Sequence, residues 1–214
     1  MAGGKGKRLM PLTKNTPKPL LIYKKKPLIE HILHKIKKSG FSKVYVSVNY
    51  LKNKIIKKLK DGSRYDLEID YLKENQALGT VGCLSQLNGK TKNPILLTNC
   101  DVITEMNYIE LLNFHIKKKA DITVVIKEHQ SINPFGQIKI KGRKIFNIIE
   151  KPITLSYINA GIYVINPSVL KFIKKNQELD MNSYIARLLS IKKNIVPYPI
   201  TDKWSDVSHY LKKN

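Results

Sequence analysis

Acid is scarce in this chain. Sixteen Asp and Glu stand against 39 Lys and Arg, a formal net charge of +23 over 214 residues. Cysteine is scarcer: Cys83 and Cys100 are too few for a disulfide framework and too far apart for a metal clip. A reducing, cytoplasmic setting is therefore expected. The histidines at 31, 34, 115, 129 and 209 show no paired metal spacing and read as structural or solvent-facing. No apolar run approaches the roughly 18 residues of a membrane span, and the first residues carry no secretory signal pattern, so no membrane partner is expected. What is present argues for a folded domain. A hydrophobic content of 42% supports a core and argues against disorder. The length suits one domain over residues 1–214, with no repeat or low-complexity linker.

The surplus of lysine has two readings. A nucleic-acid surface is one, and the formal charge alone favours it. The other is compositional bias, with lysines in short groups such as Lys24-Lys25-Lys26, Lys57-Lys58 and Lys117-Lys118-Lys119. These fall at expected helix ends and in loops, and no recognition helix, RNP-like aromatic pattern or basic stripe accompanies them. Bias is the better account, so no nucleic-acid partner is expected and a basic nucleic-acid-binding protein is the distant alternative. The field would still attract phosphorylated substrates.

Strand and helix signals alternate along the chain. Leu28, Ile29, Ile32, Leu33 and Ile36 recur at helical spacing between Pro27 and Gly40. Residues 43–48, 67–71, 94–98 and 121–126 read as strands, and 51–59, 79–87 and 108–119 as helices. The order predicts a Rossmann-like α/β fold, a mainly parallel sheet flanked by helices. Beyond it, Gln137–Ile140 and Ile145–Ile149 read as a small β-hairpin elaboration, within about 134–150. Residues 158–165 form a further strand, followed by two helices and a short strand at 195–197.

The chemistry concentrates near the amino end. Glycines at 3, 4 and 6 leave backbone N–H groups unshielded and able to approach an anion, and Arg8 and Lys18 add positive charge. Such a loop fits a triphosphate. It is neither a Walker A loop, which needs Gly-Lys-Ser/Thr, nor a dinucleotide fingerprint, which would need Gly or Ala where Leu9 stands.

The run Gly3-Gly4-Lys5-Gly6-Lys7-Arg8-Leu9-Met10-Pro11-Leu12-Thr13, followed by Pro17-Lys18-Pro19, resembles the signature of the sugar-phosphate nucleotidyltransferases. Their pattern reads G-G-x-G-x-R-L-x-P-L-T and then P-K-P, usually with Thr where Lys7 stands. Five or six such motifs occur in family order, from Gly3 to Asp206. Thr98-Asn99-Cys100-Asp101 resembles an element whose carboxylate holds Mg²⁺, with Cys100 where Gly is usual. Trp204-Ser205-Asp206-Val207 resembles W-x-D-I-G, with Ser208 in place of Gly, which makes Asp206 the candidate second metal ligand. Leu78-Gly79-Thr80-Val81-Gly82 resembles the L-G-T-A-G segment that lies against the nucleobase, and Gln76 is a candidate base or ribose contact. Phe135-Gly136, Glu150-Lys151-Pro152 and Asn159-Ala160-Gly161-Ile162-Tyr163 resemble elements lining the sugar phosphate, implying contacts from Gly136, Glu150, Lys151 and Asn159.

The resemblance implies transfer of a nucleotidyl group from a nucleoside triphosphate to a sugar 1-phosphate, releasing pyrophosphate. Arg8 and Lys18 are the candidate catalytic residues, Gly3, Gly4 and Gly6 the phosphate cradle, and Mg²⁺ the cofactor. The L-G-T-A-G-like segment leans toward the guanylyltransferase branch, which acts on mannose, heptose or amino-sugar 1-phosphates for surface polysaccharides. The family also places an apolar strand directly before its Ala-Gly-Gly, where only Met1 and Ala2 stand here. A missing central strand and an N-terminally truncated domain are therefore expected. A non-catalytic or fragmentary relative is the nearer alternative, on the strength of that strand, Cys100 and Ser208. A homo-oligomer and a regulatory domain fused ahead of Met1 are both compatible with the resemblance.

Overall fold

The computed structural model describes residues 1–208 and 211. A minimal pair, β1 (Ile22–Tyr23) and β2 (Lys26–Pro27), leads into α1 (Leu28–Lys38). Leu28, Ile29, Ile32, Leu33 and Ile36 are all buried on one face of α1, as the 3.6-residue period requires. Glu30 lies in its first turn and Lys35, Lys37 and Lys38 in its last, which suits the helix dipole. Next come β3 (Lys43–Val48), α2 (Lys52–Leu59) and β4 (Glu68–Lys73), with β3 and β4 parallel. The expected helix at 79–87 is a short 3₁₀ turn over Gly82–Leu87. Gly79 and Gly82 instead lie against the backbone of residues 177–180, too close for any side chain at either position.

After β5 (Ile95–Thr98) and β6 (Val102–Thr104) comes α3 (Tyr108–Lys117), capped by the Asn107 side chain on the N–H groups of Ile109 and Glu110. Then follow β7 (Ile122–Ile132), the ribbon of β8 (Gln137–Lys141) and β9 (Lys144–Ile149), and β10 (Ile153–Ile165). The chain continues through α4 (Met181–Ser190), β11 (Ile195–Ile200) and β12 (Trp204–Asp206). Four strands pair in the order β11-β7-β10-β5. Within that sheet β11 is parallel to β7, while β10 is antiparallel to both its neighbours. The helix-flanked α/β architecture is as expected, and the strand pairing is mixed. Along β10, Ile162 and Val164 join the core beneath α1, while Tyr163 and Ile165 join the one holding Met181, Tyr184 and Leu188. That alternation is the two-residue period of a strand buried on both faces.

A gap separates β3, of the β3–β4 pair, from β5, at the edge of the four-stranded sheet. Met1 and Ala2 bridge one end of it. The Met1 ammonium donates to the Thr98 carbonyl at 2.7 Å, and the Ala2 N–H donates to the Ser47 carbonyl at 3.1 Å. Behind them lies a cavity of about 810 Å³, lined by β3, β5 and apolar side chains including Ile32, Leu33, Leu84 and Leu112. No strand fills that slot among the described residues.

Candidate active site

Glu74 and Asp101 lie just beyond the carboxyl ends of β4 and β5, where open α/β sheets place their ligands. Asp101 follows β5 and is 7% exposed. Its Oδ2 accepts from the Lys18 ammonium in a tight ion pair and from the Ser208 hydroxyl at 2.8 Å. Burial by itself raises the Asp101 carboxyl. The Lys18 charge and the two donors more than offset this, holding it below the usual carboxylate range.

Lys18 is held by its surroundings. Pro17 and Pro19, both buried, flank it at the start of a single 3₁₀ turn. The glycine loop lies directly against this turn. Gly6 adopts φ 62°, and a Cβ there would come within 2.8 Å of Thr13 Cγ2 and 3.4 Å of Lys18 Cβ. The buried Thr13 hydroxyl donates to the Gly6 carbonyl at 3.0 Å, closing the loop on itself. The loop, Lys18 and Asp101 thus form one continuous structure. Gly4, Lys5, Lys7 and Arg8 are exposed on it.

Asp206 pairs in register with Val102 across β12 and β6, which sets it one position along from Asp101 on the facing strand. Its Oδ1 accepts from the Ser208 N–H at 2.8 Å. Among the described residues no group of three or more His, Cys, Asp or Glu could hold a metal ion by itself. Cys100 takes no part in acid–base chemistry, since burial, with the Asp101 charge behind it, pushes its thiol up to about 11.

β10 enters the site at an irregularity. Its register with β7 shifts between Asn159 and Tyr163, and Gly161 sits there at φ 73°. A Cβ on Gly161 would strike Asn99 Nδ2 at 2.7 Å, so only glycine permits this contact beside Asp101. The Asn159 side chain accepts from the Gly161 N–H and donates to Asn182. The Trp204 indole donates to the Ala160 carbonyl at 2.9 Å, tying β12 to the same point.

The other expected positions are placed as follows. The Thr80 hydroxyl accepts from the Met181 N–H at 2.7 Å, and Gln76 Nε2 donates to the Asn176 carbonyl at 2.8 Å. Gly136 and Glu150 meet at the root of the ribbon, where a Cβ on Gly136 would lie 3.1 Å from Glu150 Oε2. Lys151 is exposed beside them at φ 44°. No hydrogen bond or ion pair among the described residues joins these three to the Lys18–Asp101 pair. His115 is buried with Nδ1 2.9 Å from the Thr123 hydroxyl, a structural role; His209 lies outside the described residues.

Two residues escaped the sequence reading. Ser208 registered only as a departure from a glycine, yet its hydroxyl holds Asp101. Glu74, 5% exposed, follows β4 at its carboxyl end, and that position was the one signal that could have found it. Its Oε2 accepts from the Leu78 N–H at 3.0 Å, and its Oε1 lies 3.0 Å from where a Gly3 Cβ would be. Burial raises its carboxyl.

A glycine loop packed on a lysine–aspartate pair thus stands at the carboxyl end of β5. The family model described as nucleotidyl transferase matches residues 1–210, and the chain belongs to that family. A mannose-1-phosphate guanyltransferase of Yarrowia lipolytica is 32% identical over 216 residues, 97% of this chain and 59% of that protein. A probable mannose-1-phosphate guanylyltransferase 1 of Oryza sativa is 34% identical over 79% of this chain and 50% of its own length. The chain therefore spans between half and three fifths of these relatives. A putative glucose-1-phosphate thymidylyltransferase from Bacillus anthracis, solved with sucrose, superposes with a TM-score of 0.78 at 23% identity, over 99% of this chain and 90% of that one. HddC from Yersinia pseudotuberculosis, complexed with GMP-PN, superposes at 0.76 and 18% identity, over 99% and 94%. At these identities the two structures speak to the fold alone.

Proposed function

We propose that this domain transfers a nucleotidyl group, GMP by preference, from a nucleoside triphosphate to a sugar 1-phosphate and releases pyrophosphate. The observation that carries it is the Lys18–Asp101 pair seated against the Gly6 turn. A phosphate oxygen of the sugar attacks the α-phosphorus in line as pyrophosphate leaves. That nucleophile is already anionic, so no protein base is needed, and the work is alignment and charge neutralisation. The amides of Gly3, Gly4 and Gly6 and the Arg8 guanidinium hold the triphosphate. Lys18 leaves Asp101 to meet the α-phosphate, and Lys151 takes the sugar phosphate with Gly136, Glu150 and Asn159 around the hydroxyls.

The donor set suits a hard cation completed by phosphate oxygens: two aspartates on facing strands, with both side-chain donors to Asp101 meeting Oδ2. Mg²⁺ held by Asp101 and Asp206 would neutralise charge on the triphosphate. The base rests against Gly79 and Thr80. The two guanyltransferases among the relatives lean toward GTP. A cytoplasmic setting and a role in supplying surface polysaccharides belong to this reading.

The test crosses GTP, UTP, CTP and dTTP with mannose, glucose and heptose 1-phosphates, reading pyrophosphate and nucleotide sugar together. GTP should lead, and Lys18→Ala or Asp101→Ala should lower turnover far more than affinity. Unchanged turnover in both variants would defeat the assignment.

A further inference from the structure

We infer that, in the reaction proposed above on which this assignment rests, Ser208 is a positioning residue: it holds the Asp101 carboxylate in place for a cation once Lys18 has left for the phosphate. Two side chains among the described residues donate to Asp101, the Lys18 ammonium and the Ser208 hydroxyl, and both meet Oδ2. The reaction takes the ammonium away to the α-phosphate. A carboxylate that is 7% exposed then keeps one side-chain donor among the described residues, Ser208. A hydroxyl bonded to an ionised carboxylate is charge-assisted, about twice as strong as a bond between neutral groups. With its donors gathered on Oδ2, the carboxylate leaves Oδ1 clear of described side-chain donors, and that is the oxygen open to a cation.

The segment bearing Ser208 is anchored on both sides. Val207, fully buried, packs with Leu9 of the glycine loop and with Leu21 and Leu28. Its N–H donates to the Asp101 carbonyl at 2.9 Å, just past the β12–β6 ladder that sets Asp206 opposite Val102. The Ser208 N–H donates to Asp206 Oδ1 at 2.8 Å. One residue thus touches both acids, Asp206 through its backbone and Asp101 through its side chain. Ser208 is itself 9% exposed, so the hydroxyl is fixed by packing.

The family pattern carries glycine at this position. Glycine would keep the N–H on Asp206 and lose the hydroxyl on Asp101. The Asp101 side chain would then be free to turn about its Cα–Cβ and Cβ–Cγ bonds whenever Lys18 left it. Groups that orient a metal ligand from behind are commonly worth about 10–100-fold in metal affinity. Ser208 therefore compensates, in this chain, for a lysine that must serve two anions in turn.

Lys18→Ala supplies the state in which the lysine has left, and Mn²⁺, read by loss of its free EPR signal, is the probe on the full chain without nucleotide. In the Lys18→Ala chain, adding Ser208→Ala should weaken Mn²⁺ binding about 10-fold. Ser208→Gly should do the same, and Ser208→Thr, which keeps the hydroxyl, should recover most of the loss. With Lys18 in place the alanine change should cost less, because the ammonium still orients Asp101. An equal loss in both chains would mark Ser208 as a purely structural residue and overturn the inference. Thermal melts establish which variants fold, and the glycine variant decides the matter if the alanine one does not. Asp101→Asn, also in the Lys18→Ala chain, separates the two claims. Mn²⁺ binding indifferent to Asp101→Asn would overturn this inference together with the cation reading beneath it. Binding that needs Asp101 yet ignores Ser208→Ala and Ser208→Gly would overturn this inference alone.

Discussion

Filling the slot between β3 and β5 should stabilise this domain by an amount the structure sets. The perturbation is about five alternating β-branched and aliphatic residues placed directly ahead of Met1. The bridging bonds from Met1 to Thr98 and from Ala2 to Ser47 already give the strand its entry. Such a strand would bury about 300–400 Å² of apolar surface against side chains such as Ile32 and Leu84, a gross gain of about 8–10 kcal/mol. That figure is an upper bound, because an unfolded chain already buries part of its surface. Ordering the added residues costs about 1.5 kcal/mol each, some 7 kcal/mol in all. The surplus is about 1–3 kcal/mol, before new ladder bonds along both edges add to it. For a domain of this size each kcal/mol moves Tm by about 2–4 °C, so a rise of roughly 5–10 °C is expected. The assay is a thermal melt of the extended chain beside the original and beside an extension of five serines and glycines. Equal Tm values for the apolar and polar extensions would refute the reasoning, since the polar one cannot use the cavity.

Two further perturbations probe the site and the core. Gly6→Ala places a methyl group against Thr13 at φ 62°, so it should cost about 1–2 kcal/mol in a thermal melt and weaken triphosphate binding; a variant that melts and binds like wild type would show the turn to be unconstrained. Burial pushes the His115 imidazole below its ordinary 6.5, so the unfolded chain binds a proton that the native one resists. Stability should hold above that value and fall as pH drops below it, and His115→Gln should flatten this limb in urea titrations across the range.

Much of the fold was legible because burial writes a period into sequence. The helix α1 followed directly from Leu28, Ile29, Ile32, Leu33 and Ile36 between Pro27 and Gly40. β7 and β10 were read short, as 121–126 and 158–165, because their outer halves are exposed on both faces. Glu128, His129, Gln130 and Ser131 carry no burial signal, and only the ladder to residues 154–157 makes them strand. The 79–87 segment looked helical from its small residues, yet Gly79 and Thr80 are spent on contacts with residues 179–181, a partnership a hundred positions away. In the site, Asp101 and Lys18 were readable from their neighbours in sequence. The bond from Ser208 to Asp101 was not, because it spans 107 positions and the serine stood where a different residue was expected. Glu74 was hidden for a related reason: a lone acid after a strand looks like any turn residue until its burial is known.

The central claim is that the Gly3–Gly6 loop, Lys18 and Asp101 grip the phosphate tail of a nucleotide. Calorimetric titration of GTP and GMP in the presence of Mg²⁺, on wild type and Arg8→Ala, measures that grip directly. The account predicts that wild type binds GTP at least about 10-fold more tightly than GMP, about 1.4 kcal/mol, and that the gap shrinks in the variant, which loses a charge from the β- and γ-phosphates that only GTP carries. Equal affinity for the two nucleotides, or a gap untouched by the loss of Arg8, would contradict it.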